Sequence, residues 1–453
     1  MSEIIDRSKP RSSKLNLTRR SFIFGGSACL AAFGAATLPA CNRKKNSNPE
    51  NDKGDIVASV AYQSQNISPV GNTTALGRST FWHISEGLYN IDYTTLKTYN
   101  ALAALSPNKI NDYTYEVVLR DDAVFSNGNP VTPQDVVNSF KLNMVDEIFA
   151  PLLSFIKDVA AKDSKTITFT LNYPFENLIE QRLALVYIWP ATQRKEEYSV
   201  NPIGSGPWVL KSFDGNDGGT IEFERNPNYS GKYDVPGEKM TWHINLDNDT
   251  RINSIANNNS LVVEAVPELD VEKLNSAGAK VEFVQGFGCA YLMFNTLKAP
   301  FNDKRVRQAF HYAINKQKLI DSKLDGHAAA SSSLLPTSHP NYNKANSVYD
   351  FSEEKAKTLL RESGITSLNC ALTVDSNWVS SLASQIVGDL KNVGINAQLD
   401  VKTINWADYA DSKKVLPFDV ILAPGDPSQL GNDADLILSF WYGDNVWMNG
   451  RSC

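Results

Sequence analysis

A chain of 453 residues is too long for one compact core and predicts two or three domains, at roughly 150 residues each. Its 42% hydrophobic and 21% charged residues are ordinary for a soluble globular protein, and 44 basic against 50 acidic side chains leave a formal charge of -6, which argues against a nucleic-acid partner. The cysteines at 29, 41, 289, 370 and 453 include no CxxC pair and no Cys/His cluster at ligand spacing, so neither structural zinc nor an iron–sulfur centre is expected, and no cofactor is called for.

Thr18-Arg19-Arg20-Ser21-Phe22-Ile23 matches a twin-arginine export pattern, and an uncharged stretch rich in Ala and Gly follows from Ser21 to Ala40. An uncleaved membrane span is the alternative, but so many small residues make a weak membrane helix. Leu38-Pro39-Ala40-Cys41 is similar to a lipobox, with Pro39 unusual at its position. Residues 1–40 are therefore expected to be a signal peptide and Cys41 a lipidated mature N-terminus. Arg43-Lys44-Lys45 suits an anionic headgroup surface, and the polar run from Asn46 to Asp55 offers nothing to a core, so 41–55 reads as a tether on the order of 20 Å long. The expected location is the outer face of the cell membrane, extracytoplasmic or periplasmic.

Ile56 to Tyr62 is an apolar run read as the first buried strand, and the spacing of Phe81, Ile84, Leu88 and Ile91 predicts a helix over Arg78 to Tyr89. His83 and Glu86, at i and i+3, read as a solvated helix pair rather than half a metal site. The other histidines, at 243, 311, 327 and 339, are scattered. Tyr113, Tyr115 and Val117 alternate as a strand, Asn127-Gly128-Asn129-Pro130 makes a turn, and Thr132-Pro133 opens a helix by the preferences of its first positions.

From Ile203 to Pro236 the chain reads as a Gly/Pro turn and a hairpin. Gly204 and Gly206 precede Pro207, Trp208-Val209-Leu210 starts a strand, and Ile221, Phe223 and Arg225 alternate with Glu222 and Glu224 before Asn226-Pro227 ends the second strand. Asp214 to Gly219 hints at a calcium loop, but its fifth position is Gly218 and no Glu closes it, so a hairpin turn is expected. Tyr291 to Thr296 is a strand, and Asp303 caps a helix that buries Val306, Ala309, Phe310, Ala313 and Ile314. Then come a helix from Ser352 to Ser363 stopped by Gly364, a strand over Ala371 to Val374, and a helix carrying Leu382, Ile386 and Leu390 closed by Gly394. A strand in which Ile395, Ala397, Leu399 and Val401 alternate, a short helix with Trp406 and Tyr409, and a strand from Phe418 to Leu422 follow. Strands alternating with helices indicate α/β architecture. Cys289 and Cys370 could pair in an oxidising compartment, single buried thiols being the commoner arrangement.

Three blocks resemble, in order, the family 5 extracellular solute-binding proteins, the peptide and nickel receptors of ABC importers. The first is Leu119-Arg120-Asp121-Asp122, Phe125-Ser126-Asn127-Gly128 and Pro130-Val131-Thr132 with Asp135-Val136-Val137. The second is Gly204-Ser205-Gly206-Pro207-Trp208 with Arg225-Asn226-Pro227-Asn228-Tyr229-Ser230, where the family usually has Trp at the last position. The third runs through Tyr291 to Thr296, Ala299 to Asp303, Arg305 to Phe310 and Ala313-Ile314-Asn315.

The resemblance implies a two-lobed periplasmic-binding-protein type II fold with an extra subdomain inserted in lobe I. Residues 56–95 and 203–285 would form lobe I, 96–202 the inserted subdomain and 286–453 lobe II. The family normally continues for several tens of residues beyond the position of Arg451-Ser452-Cys453, so the return to lobe I is expected to be missing. It further implies a monomer with no catalytic step and no metal, which captures a peptide by hinge closure for a permease and ATPase complex. A nickel-chelate or oligosaccharide receptor of the same family is the alternative ligand class, and an exported hydrolase the alternative from the enzymes. The hydrolase gains no support, since there is no GxSxG elbow outside the signal and no P-loop. Gly286-Phe287-Gly288 lacks the third glycine of a dinucleotide turn and reads as a close backbone turn at an inter-lobe crossover.

For the ligand, the resemblance points to Trp406 and to Asp426 within Ala423-Pro424-Gly425-Asp426-Pro427: the carboxylate to meet a peptide ammonium, the indole to cover it. The plainer possibility is that Asp426 organises a turn before Pro427 and Trp406 fills core. Trp82, Tyr409, Trp441, Tyr442 and Trp447 are further aromatic candidates for the cleft. No arginine occurs from Asp375 to Ser381, where dipeptide receptors tend to carry one, which favours a longer peptide or another ligand with a cationic group.

Overall fold

The computed structural model describes residues 54–404 and 418–442, apart from 66, 73, 177, 376 and 377; at 195 and 440–442 only the backbone is described. Strand β1 (Ile56–Val60) buries all of its side chains but Val57, which is half-buried. Helix α1 (Ala75–Ile84) is capped by Thr74, whose hydroxyl accepts from the Gly77 amide. It starts earlier and stops earlier than Arg78 to Tyr89. Ser85 is extended and its amide closes on the Phe81 carbonyl, while Leu88 leads into strand β2 (Tyr89–Asp92), which pairs with β3 (Lys97–Asn100). The apolar spacing ran on past the helix end because α1 and β2 bury their side chains in one core.

A separate antiparallel sheet follows, in the order β4-β5-β7-β6, from β4 (Asn108–Asn111), β5 (Thr114–Val118), β6 (Ile156–Ala161) and β7 (Thr166–Leu171). Helix α2 (Pro133–Met144) packs on it through an edge-on Phe140–Phe169 contact, ring centroids 5.0 Å apart. Its start is the expected one: Thr132 and Asp135 form a reciprocal capping box with Pro133 in the first turn. Helix α3 (Ile179–Leu183) completes this part.

Strands β8 (Trp208–Phe213), β9 (Thr220–Arg225) and β10 (Lys239–Ile244) return to the first sheet. Helix α4 (Asn248–Ala256), β11 (Val262–Val263) and α5 (Val271–Ser276) follow. The sheet order is β11-β1-β10-β9-β8, with β1 parallel to both neighbours and β9 antiparallel to β10 and β8. Phe223 and Trp242 are almost completely buried within it.

Gly204 and Gly206 explain why the hairpin begins where it does. They pass directly under the end of α1, the Gly206 amide donating to the Ile84 carbonyl at 3.0 Å. A Cβ on Gly204 would stand 1.8 Å from that carbonyl oxygen, and one on Gly206 2.6 Å from its carbon. At the hairpin's exit Ser230 takes a polar role: its hydroxyl accepts from Arg120 Nη1 at 2.6 Å and donates to the Asp122 carbonyl at 2.7 Å.

The second lobe comprises β12 (Cys289–Phe294), α6 (Lys304–Ala313), α7 (Lys316–Lys323), α8 (Glu353–Glu362), β13 (Leu368–Asp375), α9 (Ser380–Asn392), β14 (Ile395–Lys402) and β15 (Val420–Gly425). Its sheet runs β12-β15-β13-β14, with β12 antiparallel to β15 and the rest parallel. Asp303 and Ser352 cap α6 and α8 as expected, and Gly364 and Gly394 turn with φ of 80° and 91°. The alternation along β14 holds only at its start. Leu399 and Val401 are 45% and 52% exposed, because β14 is the sheet edge. Cys289 and Cys370 are free thiols. Strand β15 lies between their strands, and a two-strand separation near 10 Å is too wide for a disulfide. After β15 the chain re-enters the first core, where Leu430 and Leu436 are buried, before and within α10 (Ala434–Tyr442), so this segment packs with the first lobe and not, as the 286–453 boundary expected, with lobe II.

The contacts at the two glycines set a measurable contrast. Gly204→Ala is expected to lower stability by about 3 kcal/mol or more, since backbone must move. Gly388→Ala, on the exposed face of α9 with nothing within 4 Å of the new Cβ, is expected to be neutral or to stabilise by up to about 1 kcal/mol. Urea denaturation of both variants checks it.

Candidate functional site

The chain passes between the lobes at residues 277–288 and again from Asp426, and the two passages touch. Asp426 follows the last residue of β15 and caps a short turn, Pro427–Leu430. Its Oδ1 accepts from the Ser428 amide at 2.8 Å and from the Ser428 hydroxyl at 2.5 Å. That hydroxyl in turn accepts the Phe287 amide from the first passage, at 2.8 Å. The Gly286-Phe287-Gly288 turn is thus a close approach of backbone to Asp426 and Ser428: a Cβ on Gly286 would lie 2.9 Å from Ser428 Oγ, and one on Gly288 3.4 Å from Asp426 Oδ2.

Asp426 Oδ2 is buried and has no hydrogen-bond partner among the described residues. Nor does any described Lys, Arg or His form an ion pair with it. Burial pushes the carboxyl up to about 6, and the two bonds from Ser428 restrain the rise. Cys289 sits opposite Gly425 on β12, and its thiol is pushed up to about 12 by burial and by the Asp426 charge, which leaves it a poor nucleophile. A carboxylate of this kind, with one oxygen fixed and the other unmatched, is a receptor for a cation or a strong donor.

The surroundings hold the passages in place. Phe287 packs with Leu335 and Ile437, against Leu96 from the β2–β3 turn and Tyr291. His339 meets the Phe287 ring edge-on at 5.5 Å. On the return passage Tyr93 Oη donates to the Gln429 carbonyl at 3.3 Å, and the buried Arg182 of α3 donates from Nε to Asp433 at 2.5 Å while also pairing with Asp435.

Of the expected site residues, Asp426 is in this junction, whereas Trp406 and Cys41 lie outside the described residues, as do Tyr409 and Trp447. Trp441 and Tyr442 fall in α10. Trp82 is core: it is 6% exposed, its indole donates to the Ile91 carbonyl and its ring packs on Tyr233. One expectation needs correction and another is met. His83 and Glu86 are not a solvated pair but are 1% and 2% exposed; His83 stacks edge-on against Trp242 at 4.9 Å, and Glu86 pairs with Arg120 at 3.2 Å. They are buried because α1 is covered by the hairpin on one side and residues 185–188 on the other. Residues 214–219 form a hairpin turn, Asp214 Oδ1 accepting from Asn216 and the Asp214 amide donating to Thr220. Among the described residues no group of three or more His, Cys, Asp or Glu side chains is placed to hold a metal ion. Ser428 escaped sequence reasoning because its partner Phe287 is far away in the chain and no periodicity links them.

The carboxyls raised furthest give the ligand-free protein a pH signature. Burial pushes Glu86 and Glu264 up to about 7 and Asp426 to about 6. Folding thus favours their protonated forms, so the stability they contribute is complete below about pH 4 and is lost as pH rises through 6 to 7. Asp426→Asn removes its share. The stability of this variant relative to the wild type is expected to rise by about 3 kcal/mol between pH 4 and 7, read by denaturant melts across that range.

The model for bacterial extracellular solute-binding proteins, family 5, middle region, matches residues 97–450. The nickel-binding periplasmic protein of Escherichia coli strain K12 is 30% identical over 268 residues, 56% of this chain and 50% of that protein. The glutathione-binding protein GsiB of Pectobacterium atrosepticum is 26% identical over 361 residues, 76% of this chain and 68% of that one. The chain thus spans half the length of the first relative and about two thirds of the second. Among solved structures, the murein tripeptide binding protein MppA of Escherichia coli has a TM-score of 0.77 at 20% identity, over 88% of this chain and 84% of that one. NikA of Staphylococcus aureus in complex with Ni(L-His)2 has a TM-score of 0.76 at 20% identity, over 88% and 83%. The fold is the two-lobed periplasmic-binding-protein type II fold. The chain belongs to the family 5 bacterial extracellular solute-binding proteins.

Proposed function

We propose that this chain is the receptor of an ABC importer and that it captures peptides by closing its lobes about the two passages at 277–288 and 426–433. The observation that carries the choice of ligand is the buried Oδ2 of Asp426, which has no hydrogen-bond or ion-pair partner among the described residues and calls for a positive charge. A peptide's free ammonium supplies that charge, and a charge-assisted hydrogen bond at such a site contributes roughly 1.5 to 3 kcal/mol. Trp406 is assigned the cover over the ligand. Relatives named for glutathione and for tripeptide binding support a peptide-like ligand; a nickel chelate, which the name of another relative suggests, is the competing class.

Calorimetry with trialanine and its N-acetylated form tests the assignment. Trialanine is expected to bind more tightly as pH rises from 5 to 7, because the carboxyl ionises near 6 and a charged carboxylate attracts the ammonium. N-acetylation and Asp426→Asn are each expected to weaken binding at least tenfold. Equal affinity for both peptides, or tight binding of nickel with histidine and none of trialanine, would sink the peptide assignment.

The lipid anchor belongs to the same proposal. Among the described residues no helix is long and apolar enough to cross a membrane, and a diacylated Cys41 would hold the receptor beside its permease. Mass spectrometry of the exported protein should find the mature chain starting at lipid-modified Cys41. An unmodified Cys41 excludes it.

A further inference from the structure

We propose that Ser428 is a positioning residue: its hydroxyl braces the two inter-lobe passages together and fixes the Asp426 carboxylate so that Oδ2 alone is offered to a ligand. The use of that oxygen rests on the peptide assignment; the brace itself does not.

Three contacts carry it. Ser428 is fully buried, and its hydroxyl donates to Asp426 Oδ1 at 2.5 Å while accepting the Phe287 amide at 2.8 Å. A hydroxyl has one proton, so with the Phe287 N–H pointing at its oxygen the proton is committed to the carboxylate. The direction of the relay is therefore fixed: backbone of the first passage, Ser428, Asp426. The Ser428 amide bonds the same Oδ1, so both donors sit on one oxygen and no described residue donates to the other. The glycine before Phe287 makes the approach possible, since a Cβ at 286 would press on Ser428 Oγ at 2.9 Å, while one at 288 would rest in ordinary contact with Asp426. The Gly-Phe-Gly turn is in this way matched to the carboxylate it faces.

The titratable group facing Asp426 from the neighbouring strand is Cys289, which stays protonated, and His339 lies beyond the Phe287 ring. A change in the Asp426 midpoint then reports on the Ser428 bond. The test is a carbon-13 NMR titration of aspartate carboxyls in the ligand-free full chain, with Asp426→Asn to assign the signal. Ser428→Ala is expected to move the Asp426 midpoint up by about one pH unit, because a bond to the ionised form is lost. Gly286→Ala, which keeps the hydroxyl but displaces it, is expected to move it the same way and serves if Ser428→Ala does not fold. In the same variants trialanine affinity should fall about fivefold at pH 6, as the ionised fraction drops from one half to about a tenth, and recover by pH 8, where the carboxyl is ionised in most molecules of all of them. An unmoved midpoint in the folded variants overturns the brace. A moved midpoint with trialanine affinity unchanged at pH 6 leaves the brace standing and removes the ammonium assignment instead.

Discussion

A buried carboxylate with one oxygen saturated and the other without a partner among the described residues is a costly thing to keep, and Asp426 exists in that state because of where β15 ends. The strand delivers the carboxyl to the place where the chain crosses back to the first lobe. The crossing itself must bury backbone, so its amides need acceptors. Asp426 Oδ1 and Ser428 meet that need. Oδ2 is left without a partner among the described residues, and burial raises the cost of its charge. Turn cap and the proposed ligand contact are therefore not competing roles for this residue, since the cap uses only Oδ1.

The junction can be held so closely because its anchor points are rigid. On the first-lobe side, Arg182 reaches Asp433 with its guanidinium over the Phe175 ring at 4.9 Å, and Leu430 and Leu436 sit in the main core. On the second-lobe side, β12 and β15 pair over six registered positions, from Cys289–Gly425 to Phe294–Val420. Between these anchors lie short segments, where Phe287 and Ser428 meet. That arrangement suits a hinge, in which a few residues absorb the motion of two stiff bodies.

What the sequence disclosed and what it hid divide by distance along the chain. Thr132, Asp303 and Ser352 could be assigned as caps because a cap is settled within three residues, and Gly364 and Gly394 as helix stops for the same reason. Gly204 and Gly206 were legible as a turn, but the force that requires them, the Ile84 carbonyl under α1, is some 120 residues away. Helix α1 was placed too late because Leu88 and Ile91 keep its apolar spacing while belonging to the next element. Glu86 looked solvated until Arg120 and the hairpin closed over it. Asp426 was reached through family resemblance alone, and its split between a bonded and an open oxygen needed the coordinates of Ser428 and of the turn at Gly286 to Gly288.

The direct measurement is a crystal structure of the full-length protein grown with trialanine. A bound peptide whose terminal nitrogen lies about 2.7 to 2.9 Å from Asp426 Oδ2, with Ser428 still bonded to Oδ1, is the expected result. A peptide seated between the lobes with its terminal nitrogen elsewhere, and Oδ2 still bare, would contradict it.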